Sequence, residues 1–377
     1  MKVVIAIDSF KGSLSSIEAG NAVKEAVLGI DGTAEAVVRP LADGGEGTVC
    51  ALAEGEESEC VTVSVCGPLS RPVDAAYCIL KKTNTAVIEI AAAAGITLIE
   101  ENERDPLKAT TYGVGELIAD AIKRGCRKFL IGLGGSATND GGAGMLTALG
   151  FELLNGKGAP IALGAQGLSE LYEIKTENVL PTLRDCEFNI ACDVTNTLCG
   201  ENGCSAVFGA QKGATPETIR DMDAWLANYA NIAVQVSATA DRERAGTGAA
   251  GGLGFAFLTF LGARLKSGVE LVLEETELEK YIKDADIVVT GEGRLDAQTV
   301  MGKAPIGVAR LAKKHKKTVI AFCGAAADDA EIVNGHGIDA FFPILRSVCT
   351  LDEALDKENA YKNLKSTATQ VFRLLTI

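Results

Sequence analysis

Apolar positions along the 377-residue chain alternate between short β-branched runs and longer stretches at helical spacing. Val3–Ile7 is an almost unbroken apolar run, the pattern of a central strand in a parallel sheet. Ser15 and Glu18 then form a capping-box pair, and Ala19, Ala22, Val23, Ala26 and Val27 share one face, which predicts a helix. Ala36–Leu41 repeats the strand pattern and runs into Ala42-Asp43-Gly44-Gly45-Glu46-Gly47-Thr48, a glycine-rich turn before a helix. Cys60–Val65, Val73–Leu80 and Thr85–Ala91 differ, because short turns join them into an expected antiparallel meander. Val114, Leu117, Ile118, Ala121 and Ile122 mark a helix ending at Gly125, and Phe129–Leu133 reads as the strand after it. Glu187–Cys192 predicts another strand. Thr215-Pro216 opens a helix with Ile219, Met222, Leu226 and Tyr229 on its face. Asp286–Thr290 restores the parallel-strand pattern, followed by a helix to about Lys314, strands at Val319–Cys323 and Phe341–Leu345, and a terminal helix.

Strand–helix alternation at both ends around a different middle predicts two α/β domains. Residues 1–60 and 285–377 are expected to form a discontinuous Rossmann/flavodoxin-like domain with a parallel sheet. Residues 61–284 are expected to form an inserted α/β domain with a mixed sheet. Hydrophobic content of 47% predicts a folded protein, and 5% aromatics with 42 glycines suits small-residue packing of helices on sheets. The net charge of −14 argues against nonspecific nucleic-acid binding but leaves an anionic substrate open, since a site can be locally basic. Ala245–Ala263 is uncharged yet holds six glycines, so it reads as a buried core helix and not a membrane span. Asp8 and Lys11 come too early for a signal peptide's apolar region, and a cytoplasmic protein is expected. Eleven scattered cysteines, with no C-x-x-C pair, read as small buried hydrophobes in a reducing compartment.

Only His315 and His336 are present, which leaves little material for a zinc site or a Ser–His–Asp triad. Chemistry therefore falls to carboxylates, cations and backbone amides. The stretch FLIGLGGSATNDGGAGMLTALG, residues 129–150, feeds a strand into a helix through a glycine-rich loop. Such a loop suits phosphate, because glycine opens the approach and a helix start offers unpaired N–H groups. Gly134, Gly135, Ser136, Thr138, Asn139, Gly141 and Gly142 are the expected nucleotide-phosphate residues. A carboxylate beside a phosphate calls for a cation between them, so Asp140 and Asp193 are candidate Mg²⁺ ligands. A tight turn that needs glycine only for its geometry is the alternative.

Strand ends at Asp8, Asp43, Asp193, Glu292 and Asp296 also deliver carboxylates into loops. Asp8 and Lys11 face the usual ligand crevice of an open α/β sheet, while Ser9 and Ser13 read equally as turn or capping residues. Asp8, Ser9, Asp43, Gly44 and Gly45 form the candidate substrate-binding set, with helix capping as the alternative for Asp43. Asp296 is the first candidate for general base and Asp193 the second; Asp296 could instead cap the following helix. Arg294 offers a planar fork for an anion, and Lys11 a charge for a transferred phosphoryl group. Gly246-Thr-Gly248-Ala-Ala-Gly251 matches a dinucleotide fingerprint in letters, but charged residues precede it where a strand is required. No P-loop or protein-kinase motif is present. Glycine loops, acids and cations together suit phosphoryl transfer, where positioning and charge neutralisation supply most of the catalysis.

IDSFKGSLSS, PLADGGEGT, GLGGSATNDGGAGML, the ACDVTN to QKGAT segment, GAAGGLG and VTGEGRLDAQT also occur here in one order along the chain. In these the chain resembles the bacterial glycerate kinase family, in the class distinct from MOFRL-type enzymes. The resemblance implies ATP-dependent phosphorylation of D-glycerate with Mg²⁺, on two α/β domains with the active site between them. 2-Phosphoglycerate is the expected product, with 3-phosphoglycerate, another small hydroxy-acid substrate or a non-catalytic nucleotide sensor as alternatives. Thr197 and Ala210 stand where the family usually has proline, and Phe322–Ala327 departs from its common wording.

Overall fold

A computed structural model describes residues 1–41 and 57–376, which fall into two compact units. The first comprises Met1–Glu56 with Ser267–Ile377, and the second is Glu57–Lys266. Both are α/β, as the pattern predicts. The expected glycine-rich turn and helix after Leu41 lie outside the described residues.

In the first unit, β1 (Lys2–Ile5) is an inner strand of a five-stranded sheet. Its partners are β2 (Glu35–Val38) on one side and β11 (Ile287–Leu295) on the other, and β12 (Thr318–Ala326) and β13 (Ala340–Pro343) continue the sheet. Every pairing is parallel. Val3, Val4 and Ile5 are fully buried, the consequence of helices covering both faces of a parallel sheet. The helix Ser16–Ile30 starts at the expected capping box and buries Ala19, Ala22, Val23, Ala26 and Val27. That face packs with Ala360, Leu364, Ala368 and Phe372 of the helix Lys357–Leu375. The helix Ala304–Lys314 packs against β11 and β12.

The second unit carries a six-stranded mixed sheet. Its antiparallel part is the meander β3 (Ser58–Cys66), β4 (Pro72–Leu80) and β5 (Thr85–Glu89). Parallel pairing then joins β5 to β6 (Lys128–Gly132), β9 (Glu187–Ala191) and β10 (Arg264–Lys266). A separate hairpin, β7 (Glu152–Asn155) with β8 (Leu171–Lys175), has no counterpart in the sequence reading. The core stacks Phe129 on Phe188 at 4.7 Å between ring centres, with Phe257 against Phe188. Among the described residues no helix is long and apolar enough to cross a membrane.

Three sequence expectations need correction. The second boundary falls between Lys266 and Ser267, not at residue 285. Arg264–Lys266 pairs with β9, whereas Ser267 and Glu270 form a capping box whose helix sets Val269 against Gly307 of the first unit. β11 runs beyond Thr290 to Leu295, because it keeps pairing with β12 through Arg294↔Ala325. A Cβ on Gly291 would lie 2.0 Å from the Phe322 carbonyl oxygen, so glycine there serves strand approach and not a turn. Finally, Cys60 and Cys78 face each other across β3 and β4 and form a disulfide, so the cysteines are not all isolated hydrophobes.

Trp225, the single tryptophan, packs against the core of the second unit and reports on that unit alone. Phe188→Ala should lower the unfolding free energy read from Trp225 fluorescence in urea by about 3–5 kcal/mol, through lost burial plus a cavity. A loss below about 1 kcal/mol would mean that the stack collapses around the gap.

Candidate active site

The parallel pairing of β1 with β11 sets two strand ends side by side, and Asp8 N donates to the Gly291 carbonyl at 2.9 Å. After β1 the chain makes a tight turn, with Phe10 and Leu14 exchanging backbone hydrogen bonds and Gly12 at φ +81°. This turn lies against β11: a Cβ on Gly293 would be 3.5 Å from Lys11 N. A cavity of about 390 Å³ opens there, lined on its polar side by Asp8, Lys11, Glu292, Arg294, Asp296 and Lys303. Three carboxylates thus meet three cations.

Lys303 links two of the acids, with Nζ 3.6 Å from Glu292 Oε2 and 3.6 Å from Asp296 Oδ1. Glu292 is buried and accepts a 2.7 Å bond from the Thr299 hydroxyl. Burial raises its pKa above the ordinary carboxylate value, opposed by Thr299 and Lys303. Asp296 is partly open; its Oδ1 accepts from Gln298 N at 2.9 Å and its Oδ2 lies 3.8 Å from Arg294 Nε. The Gln298 contact closes a local turn, and the helix Ala304–Lys314 has Lys303 at its N-cap, so Asp296 does not cap that helix. Mg²⁺ is usually held by one or two carboxylates plus phosphate oxygens and not by a closed protein cage, and this donor set fits it. Among the described residues no group of three His, Cys, Asp or Glu forms a ready-made metal site.

The glycine-rich loop of the second unit has a different character. Asp140 is fully buried, and its carboxylate accepts from Thr111 N and Oγ1, both at 2.9 Å, from Gly142 N at 3.1 Å and from Gly144 N at 3.2 Å. The helix it precedes, Ala143–Ala148, is six residues long. Amides expected to hold a phosphate therefore already hold an internal anion, which corrects the phosphate role of Gly142. Gly141 N is likewise bonded to the Gly251 carbonyl. The same geometry corrects Asp140 as a metal ligand: both oxygens are engaged and neither reaches solvent. Burial raises the Asp140 pKa, and the four donors oppose that.

Ser136, Thr138 and Asn139 are buried with Asp140, and of the loop residues only Gly135 is exposed while Gly134 is half-buried. Lys212 is buried against this loop. Its Nζ donates to Ser136 Oγ at 3.0 Å and to the Thr138 carbonyl at 2.7 Å. Asn139 Nδ2 donates to Ser205 Oγ at 2.8 Å. The glycines of the false dinucleotide fingerprint pack on the same loop: a Cβ on Gly251 would sit 2.0 Å from the Thr138 carbonyl oxygen. Asp193 is exposed in the segment after β9. Asp8, Ser9, Lys11, Arg294 and Asp296 belong to the first unit, whereas the loop and Asp193 belong to the second. Asp43, Gly44 and Gly45 lie outside the described residues. Glu292 and Lys303 were not among the chosen site residues. Their signal was their place after a strand and at the start of a helix, which only β11 pairing turns toward one cavity.

The glycerate kinase family model matches residues 3–376. The glycerate kinase of Haemophilus influenzae is 45% identical over 375 residues, covering 100% of this chain and 99% of that protein. The glycerate 2-kinase of Escherichia coli is 45% identical over 377 residues, with 100% and 98% covered. A crystal structure assigned to glycerate kinase 2 of Salmonella typhimurium LT2 superposes with a TM-score of 0.91 at 45% identity, covering 100% and 98% of the two chains. Fold and full-length similarity agree on the class, a phosphotransferase with an alcohol group as acceptor. The chain belongs to the glycerate kinase family.

Asp140→Asn turns an amide group toward donors that need an acceptor. It should destabilise the second unit by more than about 2 kcal/mol in urea, with the Mg²⁺ dependence of turnover unchanged. An intact stability with a raised Mg²⁺ requirement would restore Asp140 as a ligand. Burial lowers the Lys212 pKa from 10.5 to about 8. Between these values the unfolded chain holds the proton and the folded one does not, so this lysine makes stability rise with pH from about 8 up to its unfolded pKa. Lys212→Met should remove that rise; parallel stability–pH profiles for variant and parent between those limits would exclude it.

Proposed function

We propose that the chain transfers the γ-phosphoryl group of ATP to the C2 hydroxyl of D-glycerate, giving 2-phosphoglycerate, in a Mg²⁺-dependent reaction. The observation that carries this reading is the Glu292–Lys303–Asp296 array beside Asp8 and Lys11 in one cavity. Phosphoryl transfer needs an acceptor for the hydroxyl proton, cations for the oxygens that gain charge, and carboxylate oxygens for a hard metal. All three are present within the first unit. The 2-position is supported by the glycerate 2-kinase of Escherichia coli, similar over the full length of this chain.

Asp296 is the proposed proton acceptor, being partly open to the cavity with Lys303 Nζ 3.6 Å and Arg294 Nε 3.8 Å from its carboxylate. Lys303 and Lys11 are proposed to meet the phosphoryl oxygens, and Arg294 the glycerate carboxylate or a phosphate. Asp8 and Glu292 offer carboxylate oxygens for Mg²⁺, which when bound neutralises phosphate charge. Asp193 remains a proposal for the second unit.

Purified enzyme with ATP, Mg²⁺ and D-glycerate should release ADP, and ³¹P NMR should show phosphate on C2. Phosphate on C3 would overturn the position, and ADP release without a phosphorylated acid would overturn the transfer. Asp296→Asn should lower kcat by roughly 10²- to 10⁴-fold with the melting temperature nearly unchanged. A loss under about threefold means that Asp296 is not the base, and a large loss from Asp193→Asn would then move the role there.

A further inference from the structure

The cavity at the ends of β1 and β11 has a second wall that the acceptor acid does not use. Besides the charged residues it is lined by Phe10, Ile344, Leu345, Leu351 and Leu355. These come from the turn after β1, the segment after β13 and the short helix Leu351–Leu355. Ile344 and Phe10 are buried, but Leu351 is 72% exposed, Leu345 40% and Leu355 38%. Leucines left this open at the rim of a charged cavity lose burial that an apolar occupant would restore. The apolar wall meets the charged one closely. A Cβ on Gly12 would lie 3.7 Å from Leu355 Cδ2, next to Lys11 in the chain.

Glycerate has three carbons, each bearing oxygen, and offers nothing to a leucine surface. The volume of about 390 Å³ also falls in the range of sites for larger small molecules. The occupant required is a molecule with a flat apolar end and an anionic end. The leucines would take the first, and Lys11, Arg294 and Lys303 the second. A nucleotide has that division.

We propose that the apolar wall formed by Leu345, Leu351 and Leu355 seats the base of the nucleotide that donates the phosphoryl group. This rests on the reading above that the donor is a nucleoside triphosphate. It places the donor's base and phosphates in the first unit, not at the glycine-rich loop of the second. The chain's order supports the division of labour: the strand ends carry the charges, and the segment leading into the last helix carries the apolar surface.

Isothermal titration of the full chain with ADP and with inorganic pyrophosphate separates the base from the phosphates. The parent should bind ADP at least about tenfold more tightly than pyrophosphate. In the Leu351→Ser/Leu355→Ser double variant that advantage should fall by about tenfold, with pyrophosphate affinity within about twofold. Both residues are solvent-exposed enough for the variant to fold, and far-UV circular dichroism with thermal melting verifies it. Equal binding of ADP and pyrophosphate by the parent would overturn the proposal, as would an ADP affinity untouched by the double substitution. Sedimentation adds one outcome: a parent dimer that the variant loses, with ADP binding unchanged, makes the leucines an interface between copies and refutes the base site. Turnover keeps the two readings apart. If the parent uses ATP and the variant keeps its KM for ATP, the base site alone falls. If the parent does not use ATP, the donor reading falls and takes this one with it.

Discussion

The pairing of β1 with β11 is the constraint on which the proposed chemistry depends. It joins Val3 to Ile287 and Lys2 N to the Asp286 carboxylate, 284 positions apart in the chain, with the whole second unit between them. Closing so long a separation costs entropy, which sheet hydrogen bonds and burial of Val3, Ile5 and Val289 on one face and of Val4 and Val288 on the other must offset. Register matters as much as contact. Glu292 and Arg294 are two apart and share a face, so a one-residue slip of β11 would turn both away from the turn that carries Lys11.

A second constraint governs the glycine-rich loop. An ionised carboxylate without partners is costly in a protein interior, and Asp140 meets four donors there. The glycines around it make this possible. Gly141 and Gly142 have φ of +61° and +79°, and Gly251 lets another backbone approach the loop from outside. Lys212 adds a buried ammonium that binds the loop through Ser136 and the Thr138 carbonyl. The loop is thus an anion-binding motif whose anion belongs to the protein.

The two units therefore put similar residues to opposite ends. Glycine and acid sit at a strand's C-terminal end in both, yet in the second unit the acid points into its own loop and is sealed. In the first unit, Glu292 and Asp296 bind no helix start in that way; they share Lys303 and line a cavity. Burial of the carboxylate, rather than its sequence neighbours, decides which of the two can meet a substrate.

Much of this architecture was legible along the chain, since apolar periodicity and caps are local. The capping box at Ser15, the meander from residue 60 and the parallel runs at Val3 and Asp286 each follow from residues within one turn or one pleat. The placement of Asp8, Lys11, Arg294 and Asp296 around one cavity was legible too, because strand ends in α/β sheets face a crevice. The hairpin of β7 and β8, the boundary at Ser267 and the Cys60–Cys78 disulfide were not, for each depends on which distant segment a strand or helix meets. The fate of Asp140 was equally out of reach. Its donor Thr111 is 29 positions away, so nothing in the spacing of the loop could tell a carboxylate that holds a metal from one that holds its own backbone.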